Sequence, residues 1–415
     1  MRPFHFPDHP FRKNVQDEVH ARPVQFVDAP ALVRRVALLL PQGPDAVGEA
    51  HGRFAGWCRA ARVAEPAASA RQHVFVVAGR AVTWELHTEF VTLTWISPLG
   101  DTSAWPDGIG LEAFETEALV AAIRIDLLAG AELPADVHSG FRPASLCASR
   151  IEGGDAEVAT DFIADADGFT RFELAGGKLA PLQRAMVVRR LLEIETYRCF
   201  ALLALPLARR VSPKLNAAEA RLGTLVASLG SATSTEAAQS ALMSLHALAV
   251  TGGELVETTS YRFAASRAYG EVLNARLDNL GEQPLQSAST LERYLRNRVD
   301  PALATCLAVE KREAALSEKI ERATELLNTR ISLDIQAQNR AVLATIAETA
   351  RSQYQLQKTV EGLSTIAISY YLLAILSYVL SGVAQLAHLD KTLVIAAAAP
   401  FVLAAVFVLI RSIRK

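Results

Sequence analysis

The last third of the chain has a helical pattern that passes without a break from polar to apolar. Between Pro301 and Gly362 there is no proline or glycine, and Ala, Leu, Glu, Arg and Gln are abundant. These residues lose little free energy on entering a helix. The uncharged stretch Leu363–Leu386 follows directly, and a second one, Leu393–Ile410, comes after a short polar gap. The pattern predicts one very long helix that becomes apolar, and then a second apolar helix.

Both apolar stretches are long enough to cross a bilayer. They have about 24 and about 18 residues, and a membrane helix needs about 20. Arg411, Arg414 and Lys415 close the sequence. Because positive residues stay in the cytoplasm, we expect both termini there and the gap between the spans outside. The alternative is a buried helical hairpin in a soluble protein, which the length and the lack of charge disfavour.

The N-terminal part alternates between short apolar runs and turn residues, which is typical of strands. An arm with five prolines in its first thirty residues precedes them. Helices are expected at Pro44–Ala64 and Leu111–Leu128, and Ala78-Gly79-Arg80 suits a hairpin turn. The combination predicts a largely antiparallel α+β sheet. The predicted strands are Val33–Leu40, His73–Val77, Ala81–Leu86, Phe90–Ile96 and Phe169–Leu174.

From Pro181 the pattern becomes helical. Helices are predicted at Leu182–Ala208, Asn216–Leu229 and Thr233–Asp278, the last interrupted or bent at Gly252-Gly253. A turn at 279–289 then brings the long helix back antiparallel. We therefore predict an α+β cytoplasmic domain with its arm (1–178), a long-helix stalk domain (179–362) and a transmembrane hairpin with a basic tail (363–415).

Composition narrows the partners and the compartment. The net charge of the 415 residues is −2 and no basic stripe dominates, so nucleic acid is not an expected partner, whereas membrane lipid is. The sequence starts without an apolar segment, which argues against a cleaved signal peptide. Four cysteines lie far apart, which suits a reducing compartment.

Two polar clusters are candidates for chemistry. Strand alternation would place Glu85, His87 and Glu89 on one face of the third strand region, and an arm segment with Glu18, His20 and Arg22 is a candidate to dock beside them. Two carboxylates around a histidine suit a metal or ligand patch, or they hold the histidine protonated. The alternative is a structural ion-pair network that fixes the arm, with Arg22 and Arg198 balancing the acids.

The sequence contains none of the common catalytic motifs. It has no Gly-x-Ser-x-Gly, no His-Glu-x-x-His, no phosphate loop, and no Cys with an evident His partner, so an enzyme is not favoured. No cofactor is expected, and a divalent cation enters only under the metal alternative.

A stripe of small and hydroxylated residues follows one face of the long helix at spacings of three and four. One interpretation is packing against small residues of the second span, as membrane helices prefer. The other is a symmetry axis shared by several copies, with hydroxyls facing a pore. Neither span contains a charged residue or histidine, which disfavours a proton relay. The seam consists of Gln353, Gln357, Ser364, Ala367, Tyr371, Ala374, Tyr378 and Ser381.

Four strings of residues resemble a bacterial family, domain-of-unknown-function family 3422. They are 18–23 (EVHARP), 84–90 (WELHTEF), 191–198 (LLEIETYR) and 357–364 (QKTVEGLS). The resemblance covers nearly the whole chain. It implies a membrane-anchored protein of the bacterial inner membrane, without an established activity.

The layout also resembles, more distantly, the CorA-type magnesium channels, which have an α/β cytoplasmic domain, a long stalk helix, two spans and a basic tail. That resemblance implies a homo-oligomer, as a pentamer. The sequence departs at the outer end of the first span, where Ser381–Leu386 replaces the Gly-Met-Asn of those channels. Our leading prediction is a homo-oligomeric inner-membrane protein with a sensing or scaffolding cytoplasmic body. The alternatives are a CorA-like ion channel without that motif and a metal-binding or enzymatic body.

Overall fold

The computed structural model describes residues 6–12, 15–16, 22–229, 235–285, 288–387 and 390–413. The chain divides into two compact units. The first consists of Met1–Ser228 with Met243–Arg322, and the second of Leu229–Leu242 with Ala323–Lys415. The first unit contains an α+β domain, and the second contains the apolar C-terminal helices. The three-domain division remains a prediction.

A mixed sheet forms the centre of the first unit. Its nine strands are ordered β2-β3-β4-β1-β5-β8-β7-β6-β9. Neighbours pair antiparallel except β5 and β8, which are parallel. The strands are β1 (Ala31–Leu39), β2 (Gln72–Val77), β3 (Arg80–Leu86), β4 (Phe90–Ser97), β5 (Ala118–Leu128), β6 (Cys147–Ile151), β7 (Ala156–Ala164), β8 (Thr170–Ala175) and β9 (Gln283–Pro284).

The predicted hairpin between the second and third strand regions is confirmed. Val77 pairs with Arg80, and the two residues between them, Ala78 and Gly79, have φ of 48° and 72°. Two positive φ values in a two-residue loop match the twist of antiparallel strands. All five predicted strands are present within one or two residues at each end.

The helix predicted at Leu111–Leu128 is wrong. A short 3₁₀ helix, Leu111–Phe114, precedes β5, which lies between β1 and β8 in the middle of the sheet. Alanine and leucine favour a helix when they are read locally. A central strand buried on both faces has the same continuous apolar composition, so periodicity does not separate the two.

The described chain also contains six α-helices. They are α1 (Ala46–Ala61), α2 (Pro181–Leu202), α3 (Ala204–Leu229), α4 (Thr235–Asp278), α5 (Leu291–Ala387) and α6 (Lys391–Ile413). The break between α2 and α3 falls at Leu203, earlier than predicted. Pro206 lies in the first turn of α3, where its missing N–H breaks no helical hydrogen bond.

Two boundaries of the long helices differ from the predictions. α4 continues through Gly252-Gly253 without interruption, and α5 begins at Leu291, so that Pro301 lies inside it. The earlier start has a cap. The Glu282 carboxylate accepts hydrogen bonds from the backbone N–H of Leu291 (2.7 Å) and Glu292 (2.9 Å). These donors have no partner within the helix, and a carboxylate there also favours the helix dipole.

α4 and the first part of α5 run antiparallel, as predicted. Thr259 donates to Glu313 at 2.9 Å, and Arg267 pairs with Glu310 at 2.7 Å. Gly270 makes the close approach possible, because a Cβ there would lie 2.5 Å from Leu303 Cδ1.

Two large hydrophobic clusters cover opposite faces of the sheet, and a small one around Phe141 lies against β6 and β7. One joins inward residues of β1, β5, β7 and β8 to α2 and to the neighbouring ends of α4 and α5. The other packs Phe54 and Cys58 of α1 against Trp84 and Trp95, and the Phe54 and Trp84 rings are stacked at 4.6 Å. The edge of the first cluster, where α2 crosses β1, β3 and β4, is polar.

Candidate functional site

The polar residues predicted at 85–89 do not share one strand face. β3 ends at Leu86, and the His87 N–H donates to the Phe90 carbonyl at 2.9 Å to close the turn into β4. The alternation expected for Glu85, His87 and Glu89 therefore stops after the first of them. Glu85 and His87 still line one cavity, whereas Glu89 lies apart from it against α4.

Glu85 is buried on β3 and is held by neighbouring strands. Its carboxylate accepts hydrogen bonds from Arg35 on β1 (2.9 Å), Thr92 on β4 (3.2 Å) and Gln72 on β2 (3.2 Å). Arg35 also donates to Thr94 at 2.7 Å. A charged group remains buried when it is paired and hydrogen-bonded. These contacts are therefore sufficient to explain the burial of the Glu85 carboxylate.

Glu89 is buried against α4. Arg262 donates to both carboxylate oxygens at 2.9 Å, and Tyr261 and Tyr269 donate at 2.9 and 2.8 Å. Burial raises the pKa of the Tyr269 hydroxyl, and so does its hydrogen bond to Glu89. Four donors on two oxygens make this carboxylate a strong tie between the β3–β4 turn and α4.

His87 lies between these two carboxylates without contacting either. Its ring stacks on Phe90, with centroids 4.0 Å apart, and its Nε2 is buried with no hydrogen-bond partner in the described part of the chain. Burial lowers the pKa of His87 well below its usual value, and the charges of Arg22 and Arg35 lower it further. The imidazole is therefore neutral at neutral pH, the opposite of the protonated histidine considered from the sequence.

Of the three arm residues predicted beside this cluster, Glu18 and His20 lie outside the described residues. Arg22 lies next to His87. Its guanidinium donates to the Leu86 carbonyl at 3.0 Å, and its own carbonyl accepts from Arg189 at 3.0 Å. Arg198, expected to balance the sheet acids, instead makes two 2.6 Å hydrogen bonds to Glu195 within α2.

A cavity of about 100 Å³ lies where Arg22, the β3–β4 turn, β1, α2 and α4 meet. Four guanidinium groups and two carboxylates line it together with His87 and aromatic rings. Sequence reasoning missed most of these groups, although Arg34 and Arg35 inside the apolar strand β1 were a signal of buried charge. The lining residues are Arg22, Arg35, Glu85, His87, Phe90, Thr92, Arg189, Glu193, Thr196, Tyr197 and Arg276.

The described residues of this body show neither a metal-ligand group nor an activated thiol. Within the described ranges, no three His, Cys, Asp or Glu side chains converge as a metal-ligand group; the divalent cation stays a prediction. Burial raises the pKa of the Cys58 thiol to about 11 and the pKa values of Cys147 and Cys199 to about 12. Such thiols are protonated at neutral pH and are poor nucleophiles.

The second candidate region is the pair of apolar helical segments in the second unit. Two helices are long and apolar enough to cross a membrane, with mean hydropathies of 1.8 and 2.6 in their most apolar windows. Only 6% and 11% of the residues in those windows are buried. Within 331–382, which the structure describes completely, Ser369 is the one buried residue.

The seam residues lie on this exposed part of α5. Gln353, Gln357 and Ser364 line a shallow groove on one face of the helix, together with Leu356 and Val360. Further along, Ala367, Tyr371 and Tyr378 are exposed, and Ala374 and Ser381 are half-buried. No contact in the described chain tests whether this face meets another copy, so the seam remains a prediction.

Together, the fold and these sites define a class: an α+β domain with a mixed sheet, then long helices, then two apolar helices able to span a membrane. The chain belongs to the family described as protein of unknown function (DUF3422), whose model matches residues 7–415. The predicted membership is therefore confirmed. Comparison with curated proteins gave no match, and comparison with solved structures gave none either.

Proposed function

We propose that this protein is a homo-oligomeric membrane protein whose C-terminal helices anchor a sensing or scaffolding body on the cytoplasmic face of the bacterial inner membrane. The observation that carries the proposal is the exposure of the apolar windows in α5 and α6. A core helix of a soluble protein buries its apolar residues. These helices present them outward.

The energetics favour lipid as the surroundings of these segments. Leaving apolar surface in water instead of burying it costs a free energy of roughly 25 cal/mol per Å². Leu363, Ile366 and Ile375 are each more than 60% exposed. In a bilayer the same surface carries no such penalty, and a helix satisfies all its backbone hydrogen bonds internally. The basic residues after α6 support an orientation with both termini in the cytoplasm.

Self-association is supported by the exposed face of α5 ahead of the apolar segment. Apolar residues there, Ile335, Val342, Ile346, Leu356 and Val360, follow one another at spacings of 7, 4, 10 and 4. This is a partial heptad pattern, interrupted at Thr349 and Gln353, of the kind that favours packing against a parallel neighbouring helix. Parallel copies anchored by the same hairpin would meet along this face. The likeness to CorA-type channels extends only to this layout and suggests five copies.

The anchoring is tested by washing membranes from cells that express the full chain with alkaline carbonate, which removes peripheral proteins. The protein should stay in the membrane pellet. Light scattering of the detergent-purified protein should then give a protein mass of several chains. Release into the carbonate wash contradicts the anchor, and a monomer mass contradicts the oligomer.

A second candidate function, ion conduction along the seam, is favoured by the exposure of Tyr371 (67%) and Tyr378 (81%) on a face free of charge. Hydroxyls facing a shared axis would replace part of the hydration of an ion. In liposomes, Tyr371→Leu with Tyr378→Leu should change ion flux. Tyr370→Leu is the matched control, since Tyr370 is equally exposed (70%) but lies off the seam. Equal flux in all three proteins rejects a seam pore.

A further inference from the structure

We infer that the arginine-lined cavity beside Arg22 is a binding site for a small oxyanion with two negative charges, of the phosphate or short dicarboxylate type. Such an anion would be the ligand of the sensing body proposed above. Only that sensing role rests on the proposed function. Binding itself is a property of the first unit and can be tested independently.

Among the described residues, the charges around the cavity do not balance. Glu193 accepts from Arg189 at 2.8 Å and forms an ion pair with Arg276 at 2.5 Å, and Glu85 pairs with Arg35. The cavity lining also includes Arg22, so it contains four guanidinium groups and two carboxylates. His87 is neutral, so the lining carries a formal charge of about +2, which matches a dianion.

Arg22 is the lining cation that has no carboxylate partner among the described residues. Among the described residues its guanidinium has one acceptor, the Leu86 carbonyl, and its Nε is buried with no partner. Arg22 is half-buried, and a cation partly removed from water without a counter-charge is less stable than the same cation facing an anion. The placement of Arg22 therefore makes physical sense when an anion occupies the cavity.

His87, another residue of the cavity lining, also carries a buried polar atom: its Nε2 has no partner in the part of the chain that the structure describes. Native proteins rarely leave buried polar atoms unpaired. Both of these atoms belong to residues that line one cavity, where an oxyanion can accept hydrogen bonds from the guanidinium N–H groups of the lining.

The size and the chemistry of the walls set the ligand class. A volume of about 100 Å³ exceeds the share of one liquid water, about 30 Å³, and has room for several heavy atoms. Guanidinium forks match the paired oxygens of phosphate and carboxylate groups. Phe90 and Tyr197 add aromatic rings to the lining, and the small volume favours a compact ligand over an extended one.

The test is calorimetric titration of the full chain, purified in detergent micelles, with inorganic phosphate and with succinate at constant ionic strength. We expect one of these dianions to bind at one site per chain, and chloride at the same ionic strength to give no binding heat. The dianion that binds shows whether the site prefers a phosphate or a dicarboxylate. Absence of binding by both dianions overturns the inference.

Substitutions assign the binding to the cavity. Arg22→Gln should weaken the affinity at least tenfold, because it removes the cation that has no carboxylate partner. Arg209→Gln is the matched control: Arg209 is exposed on α3, and this variant should bind like the wild type. Equal affinity of the Arg22 and Arg209 variants contradicts the site.

A third variant covers the case in which Arg22→Gln does not fold. Arg22→Lys keeps the charge but loses the guanidinium fork, and we expect it to bind more weakly than the wild type. Wild-type affinity of this variant would count against the inference. Carbonate washing of membranes containing the same variants separates the two proposals, because loss of anion binding should leave membrane attachment unchanged.

Discussion

The two parts of α5 have similar helical sequences and opposite surroundings. In the first part, residues at spacings of three and four are buried, among them Leu291, Leu295 and Val299. From 331 to 382, Leu343, Leu356 and Ile366 are each more than half exposed. The first part has partners within its own unit, whereas the second part leaves its apolar residues exposed in the described chain.

The largest expected effect tests the second part of α5. Ala374→Arg places a charge near the centre of the apolar segment, which costs about 2.5–3.5 kcal/mol on insertion scales. We expect a marked fall in the fraction of protein recovered in carbonate-washed membranes. Ala350→Arg is the matched control, because Ala350 is exposed on the same helix ahead of the apolar segment and should tolerate the charge. Equal recovery of both variants would show that positions 374 and 350 do not differ in their surroundings.

The next effect tests the body, where charge is buried with partners. Glu89→Ala removes the acceptor of four hydrogen bonds and leaves Arg262 without its counter-charge, which should lower the free energy of unfolding by about 3–5 kcal/mol. Glu310→Ala breaks an exposed ion pair with Arg267 and should cost less than about 1 kcal/mol. Urea unfolding followed by tryptophan fluorescence measures both. Similar losses would show that Glu89 is not a buried tie.

A smaller effect tests the close contact between α4 and α5. Gly270→Val places side-chain atoms where Leu303 lies, and overpacking of this kind costs about 1–3 kcal/mol. Gly253→Ala is the control, since nothing lies within 4 Å of its Cβ position. There the higher helix propensity of alanine should stabilise by about 0.5–1 kcal/mol. Loss of stability in both variants would contradict the packing described here.

The smallest effect concerns Glu313, which is buried on α5. Burial raises its pKa, so the folded state holds the proton more tightly than the unfolded state. Its contribution to stability is present below the unfolded pKa and is lost as the pH rises through the folded pKa. Glu313→Gln should therefore be more stable than the wild type at pH 7 and show a smaller fall in Tm between pH 4 and pH 7. Parallel pH profiles would reject the raised pKa.

Local patterns were sufficient for features whose cause is local. The two-residue turn at Ala78-Gly79 and the apolar segments of α5 and α6 are read from neighbouring residues. The strand β5 could not be predicted in this way, because its residues favour a helix and only the flanking strands β1 and β8 make them a strand. The start of α5 could not be predicted either, since its cap comes from Glu282, which belongs to the preceding turn.

The candidate site was predicted in part for the same reason. The sequence marks Glu85, His87 and Glu89 as polar residues in an apolar context, and it places Arg22 in the arm. Their actual partners are distant in sequence: Arg35 for Glu85 and Arg262 for Glu89. Only the fold brings Arg189 and Arg276 to the same cavity. A single sequence therefore indicates that buried charge exists without indicating its balance.

We propose that the exposed apolar part of α5, together with α6, lies in lipid, while the first part of α5 does not. A carbene precursor dissolved in the bilayer, activated by light and mapped by mass spectrometry, tests this on the unmodified full chain in its membrane. We predict labelled peptides within 363–382 and 392–409 and no label within 291–322. Label in the first part of α5, or none in the two apolar segments, would contradict the account.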